Sequence, residues 1–145
     1  MSKSVNHIIH NGKPMAIIIR TDFHREGIEF FTPHDFSQQL AYMSHPAGIV
    51  IHPHVHNLVP REIKYTQEVL FIKSGKVRID FYDDRKKYLE SCILTKGDVI
   101  LLACGGHGLE MIEESEIIEV KQGPYAGETD KIRFKPEGNP HDSGE

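Results

Sequence analysis

Short β-type segments separated by regular turn signals constrain the fold of this chain more than any other feature. Residues 77–82 are Val-Arg-Ile-Asp-Phe-Tyr, an apolar–polar alternation with the two-residue period of a strand. Many short strands of this kind favour a β-sandwich or barrel over a fold of alternating strands and helices. The other segments rich in strand formers are 16–19, 28–31, 39–43, 49–56, 68–72, 88–94, 99–102, 109–112 and 116–121.

The connections between these segments carry turn residues. Residues 83–87 are polar and predict a hairpin tip, and Lys96-Gly97-Asp98 predicts a turn. Glu113-Glu114-Ser115 is the expected tip of a hairpin formed by the predicted strands 109–112 and 116–121. Residues 32–40 are the one stretch with a helical option. Beyond them, residues 132–134 could add an edge strand, and the polar tail 136–145 is predicted to be disordered.

Composition narrows the class of protein. The chain has 145 residues, 39% of them hydrophobic and 26% charged, as expected for one soluble domain, which we place at residues 1–135. The formal net charge of −4 gives no electrostatic basis for binding nucleic acid or an anionic membrane. We expect a cytoplasmic protein for three reasons. The two cysteines lack the spacing of a disulfide framework or a metal site, and the sequence shows neither a signal peptide nor a long apolar run.

The histidine pattern is the main chemical signal. His54 and His56 are two residues apart on a predicted strand, so their imidazoles should project from the same face. Glu68 and His107 could add a carboxylate and a third imidazole. Such a mixed nitrogen and oxygen donor set suits a divalent first-row metal, namely Fe, Mn, Ni, Co, Cu or Zn.

Two motifs resemble those of the cupin superfamily. Gly48-x5-His54-x-His56 followed by Glu68-x6-Gly75 resembles the first cupin motif, and Gly97-Asp98-x4-Ala103-x-Gly105-Gly106-His107 resembles the second. The resemblance covers about residues 40–121. It implies an all-β, double-stranded jelly-roll barrel, a homodimer, and a metal held by His54, His56, Glu68 and His107.

The chain departs from the usual cupin pattern in three places. Eleven residues, 57–67, separate His56 from Glu68, where cupins usually have three or four, and this longer loop contains Glu62 as a rival ligand. We prefer Glu68, which opens a predicted strand at the expected distance from Gly75. In the second motif Ala103 replaces a proline and the spacing to His107 is one residue shorter. Met111 lies near a position that is often Asn.

Three further residues could contact a substrate. His52 should share the face of the histidine pair and could act as a general base, although a barrel-lining histidine is the simpler interpretation. Arg61 could hold a phosphate or carboxylate, and Tyr65 could hydrogen-bond a sugar. The alternatives are a solvated loop arginine and a packed tyrosine.

The function expected from these features is metal-dependent chemistry on a small molecule. Segments 60–62, 66–70 and 121–131 resemble small single-domain cupins of bacterial polysaccharide and sugar-nucleotide gene clusters. That resemblance implies a small polar or anionic sugar-type substrate and an isomerisation or epimerisation. An Fe- or Ni-dependent dioxygenase and a non-catalytic sugar- or metabolite-binding module are the alternatives.

Overall fold

The computed structural model describes residues 4–142, and its regular secondary structure is almost entirely antiparallel strand. A short 3-10 helix, Gly127–Asp130, follows the last strand. None of the helical structure in residues 4–142 is long and apolar enough to cross a membrane. The strands are β1 (Val5–His10), β2 (Lys13–Ile19), β3 (Gly27–Phe30), β4 (Ala41–Ser44), β5 (Glu68–Ser74), β6 (Lys76–Tyr82), β7 (Tyr88–Thr95), β8 (Val99–Leu102), β9 (Gly106–Met111) and β10 (Glu116–Lys121).

Two sheets enclose the core. A five-stranded sheet has the order β1-β2-β8-β5-β10, and a three-stranded sheet has the order β7-β6-β9. A separate two-stranded sheet pairs β3 with β4. The all-β prediction is confirmed, but the sheets form an open arrangement: β1 and β10 are the edges of the larger sheet, and β7 and β9 those of the smaller.

The core comes from the alternation expected for half-buried strands. Val77, Ile79 and Phe81 of β6 are at most 1% exposed. They pack with core residues of the five-stranded sheet such as Ile72 and Ile100. Burial of these side chains is the main stabilising contribution to the domain, roughly 2 kcal/mol for each fully buried aliphatic or aromatic group.

Gly75 makes the tight connection between β5 and β6. Its φ of 90° lies in the left-handed region that glycine adopts without steric cost. A Cβ at this position would collide with the backbone of Glu114 and with Ser115. Because Gly75 has no side chain, the β9–β10 connection can lie directly against the β5–β6 turn.

Several sequence predictions were wrong in detail. Residues 49–56 form no strand, and residues 32–40 contain no helix. Residues 109–112 and 116–121 do not pair as a hairpin, because β9 joins β6 whereas β10 joins β5. The described residues also include a strand that we did not predict, β1, while residues 132–134 form no strand.

The tail packs on the three-stranded sheet. The ring of Phe134 lies edge-on to Tyr82 at a centroid distance of 5.1 Å. Asn139 is 7% exposed and donates from Nδ2 to the Tyr82 hydroxyl at 2.9 Å. Asn139 belongs to the segment 136–145 that was predicted to be disordered, and the last three residues of that segment lie outside the described part of the chain.

Candidate functional site

Glu68 and His107 are the two predicted ligands that the fold brings together. Glu68 opens β5 and alternates with the core residues Leu70 and Ile72, so its side chain projects from the core-facing side of the five-stranded sheet. His107 of β9 pairs with Phe81, another core residue, and shares its face. The Glu68 Oε2 and His107 Nε2 atoms are 3.2 Å apart. The pair therefore bridges the two sheets.

Lys121 is a member of this site that the sequence did not identify. The register of β10 against β5 places it directly opposite Glu68, and its Nζ lies 3.8 Å from Glu68 Oε1. The same ammonium lies 3.0 Å from Asp130 Oδ2, and Asp130 Oδ1 accepts a hydrogen bond from Thr66 Oγ1 at 2.8 Å. Only the strand register reveals this role, because Lys121 lies 53 residues from Glu68 in the sequence.

Opposite charges stabilise the ionised forms of these groups. The hydrogen bond from His107 holds the pKa of Glu68 below its ordinary value and outweighs the opposing effect of burial, with help from the charges of Lys121 and Lys131. Asp130 raises the pKa of Lys121, and Lys121 in turn lowers the pKa of Asp130. At neutral pH the site presents two carboxylates and an ammonium around the imidazole.

The predicted histidine pair lies elsewhere, on a segment that we call the arm, residues 45–66. The whole arm is exposed and has no strand or helix. The rings of His54 and His56 remain neighbours, with centroids 5.3 Å apart. The His54 ring Nδ1 lies 3.0 Å from the carbonyl oxygen of His52, which is also exposed. The two imidazoles are therefore close to each other, although the segment that carries them does not form the predicted strand.

The other candidate residues of the long loop are also exposed. Arg61, Glu62 and Tyr65 make no hydrogen bond or ion pair with any residue that the structure describes. Tyr65 is 61% exposed. The described ion-pair partners of Glu68 are His107 and Lys121, and none of these three loop residues is among them.

The predicted metal ligands therefore form two separate pairs. Across residues 4–142, no group of three or more His, Cys, Asp or Glu side chains is arranged to hold a metal ion. Glu68 with His107, and His54 with His56, each supply half of the predicted donor set. The four residues do not form a complete metal site within one chain.

Lys121 and Asp130 also line a shallow pocket of about 200 Å³, together with Pro124 and Tyr125. Neither Glu68 nor His107 lines this pocket. An ammonium, a carboxylate and an aromatic ring at one pocket are features that favour a small polar molecule.

Comparison with known proteins leaves the site to be interpreted from its own geometry. No family model, curated protein or solved structure matches this chain.

Proposed function

We propose that this chain is a metal-binding cupin and an enzyme that isomerises or epimerises a small polar or anionic, sugar-type molecule. The observation that carries the proposal is the Glu68–His107 pair, which bridges the two sheets beside Lys121. A carboxylate and an imidazole that lie this close together are two of the donors that a divalent transition metal accepts.

The neighbouring residues suit such a substrate. Lys121 and Asp130 offer a polar molecule hydrogen-bonding groups of both charges at the pocket that they line. With Glu68 and His107 as metal ligands, another group has to remove a proton from carbon or oxygen and return one to the adjacent atom, and His52 is the candidate general base. Aldose–ketose interconversion and epimerisation both need a proton removed and returned in this way.

The metal is part of the proposal. Three imidazoles and a carboxylate, from His54, His56, His107 and Glu68, are donors that a divalent transition metal accepts. Such a metal would polarise a substrate carbonyl. Because the four donors are not together in one chain, we assign no reaction step to the metal.

Solvent deuterium exchange tests the reaction. The metal-loaded protein is incubated in D2O with a panel of aldose phosphates, ketose phosphates and nucleotide sugars, and loss of a C–H signal is followed by proton NMR. We expect exchange with one substrate class, and Glu68→Gln should slow it by about 100-fold or more. Glu119→Gln is the matched control, because Glu119 is an exposed carboxylate on the same strand as Lys121.

Two outcomes would overturn the isomerase proposal. Oxygen consumption dependent on substrate, without deuterium exchange, would indicate a dioxygenase. Saturable binding of a sugar without exchange or oxygen uptake would indicate a binding module.

A further inference from the structure

Three turns meet around a small pocket of about 110 Å³ that neither Glu68 nor His107 lines. Asn11 belongs to the β1–β2 turn of the larger sheet, and Asp84 to the β6–β7 turn of the smaller one. Gly105 lies in the connection from β8 to β9, which crosses between the two sheets. The pocket is therefore a separate cavity at one junction of the sheets.

Two sulfur-containing side chains form the apolar part of the lining. Met15 of β2 is 4% exposed, and Cys104 is half-buried beside it. A Cβ at residue 105 would collide with the Met15 methyl group, so glycine at this position lets the β8–β9 connection lie directly against β2. Burial raises the pKa of the Cys104 thiol, which is therefore uncharged at neutral pH. This part of the pocket suits a CH or methyl group.

Two opposite charges line the same pocket without pairing. Lys13 opens β2, and Asp84 lies in the β6–β7 turn. Both are close to one thiol: after burial, Asp84 raises the pKa of Cys104 further, and Lys13 lowers it. Within residues 4–142, the side chain of neither Lys13 nor Asp84 has a hydrogen-bond or ion-pair partner. An ammonium and a carboxylate are thus both left open to a ligand.

The other charged groups of the pocket are already engaged with each other or with backbone. Asp83 Oδ1 accepts hydrogen bonds from the amides of Arg85 and Lys87, at 2.8 and 2.9 Å. The Lys87 amide is the main cause of the lowered pKa of Asp83, and the charge of His10 contributes to it. Lys13 and Asp84 are therefore the groups that a charged ligand would contact.

We propose that this pocket binds a small α-amino acid as its zwitterion, with Asp84 accepting hydrogen bonds from the ammonium and Lys13 donating to the carboxylate. Both contacts are charge-assisted hydrogen bonds, which are stronger than those between neutral groups. A ligand with a single charge leaves one of the two side chains without a partner. This site does not depend on the proposed function, because it shares no residue with the Glu68–His107 pair.

The size of the pocket limits the amino acid. A volume of about 110 Å³ is room for about four water molecules at roughly 30 Å³ each. That space admits glycine, alanine or serine and excludes amino acids with long or aromatic side chains. The methyl group of alanine would lie against the sulfur atoms of Met15 and Cys104.

Titration of the full chain with glycine and L-alanine, followed by proton–nitrogen NMR, tests the proposal. We expect the amides of Asn11, Asp84 and Gly105 to shift with a Kd of about 1 mM, as suits a ligand of five or six non-hydrogen atoms. Lys13→Gln and Asp84→Asn should each weaken binding by about tenfold or more. Lys96→Gln and Asp22→Asn are the matched controls, because they remove the same charges from exposed positions in other turns.

Analogues with one charge show what the pocket recognises. Ethylammonium and propionate are alanine without its carboxylate and without its ammonium, and each should bind at least about tenfold more weakly than alanine. Equal binding of either analogue would refute recognition of a zwitterion. The site itself would be refuted if about 50 mM glycine, some fifty times the expected Kd, shifted none of these amides. Full binding by both Lys13→Gln and Asp84→Asn would also refute it.

Discussion

Arg78 donates two hydrogen bonds to Asp80 on the face of β6 that points away from the core. Arg78 Nε lies 2.8 Å from Asp80 Oδ1, and Nη2 lies 3.1 Å from Oδ2. The same guanidinium reaches Glu110 of β9 at 2.6 Å. Ser91 of β7 donates to Asp80 as well. These contacts tie all three strands of the smaller sheet together on its outer side.

Removing the Asp80 carboxylate should destabilise the domain. Only 8% of this side chain is exposed, and its loss removes both hydrogen bonds that the largely buried Arg78 donates to Asp80. We expect Asp80→Ala to lower the free energy of unfolding by about 3 kcal/mol, measured by urea denaturation. Asp84→Ala, at an exposed position of the β6–β7 turn, should change it by less than about 0.5 kcal/mol. Equal effects of the two substitutions would contradict this assignment.

The same carboxylate should make stability depend on acid pH. Burial raises the pKa of Asp80, but hydrogen bonds from Arg78, Ser91 and Asn139 outweigh it and leave the pKa below the ordinary value of 3.8. A lowered native pKa means that Asp80 contributes fully above about pH 5, and that the contribution falls as pH drops below 3.8 and through the native pKa.

Denaturation from pH 7 to pH 2.5 measures this dependence. The stability difference between wild type and Asp80→Asn should be constant above pH 5 and should shrink below pH 4. Subtracting the two curves removes the contribution of the other carboxylates. A difference that grows on acidification would have the wrong sign for a salt-bridged Asp80.

Gly75 should tolerate a side chain less well than a turn glycine in open space. Both Gly75 and Gly12 have positive φ, so alanine at either position carries the same type of backbone strain, about 1 kcal/mol. Only at Gly75 would the added methyl group also meet the backbone of Glu114. We expect Gly75→Ala to cost about 3 kcal/mol and Gly12→Ala about 1 kcal/mol, measured by thermal or urea denaturation.

Cys92 should resist alkylation. Burial raises the pKa of its thiol to about 11, so about a thousandth of the population is thiolate at pH 8. Mass spectrometry after brief treatment with iodoacetamide should show Cys92 unmodified in the folded protein and labelled in urea. Rapid labelling of Cys92 without denaturant would show that β7 opens locally.

Local patterns were sufficient to predict most strands. The alternation along residues 77–82 places β6 correctly, because the period of a strand and its burial follow directly from the residues themselves. Glu68 does open a strand, as its position before Gly75 indicated. These features depend on neighbours in sequence.

The failures concern partners that are distant in sequence. Residues 49–56 have strand-like composition, but a strand also requires a partner strand, and these residues pair with none of the edges that the described chain offers. Residues 113–115 have the character of a hairpin tip, yet the Glu113 amide and the Ser115 hydroxyl bond to the backbone of Lys76. This contact with the β5–β6 turn directs β9 and β10 into different sheets. The position of Lys121 opposite Glu68 could not be predicted either, because it depends on the register between two strands that are distant in the sequence.

The exposed arm has a consequence for how the protein meets proteases. Residues 45–66 are exposed and form neither strand nor helix, so a protease that binds its substrate in an extended form can cleave there without unfolding the two sheets. Cleavage at Arg61 or Lys64 would leave the strands on both sides of the arm intact.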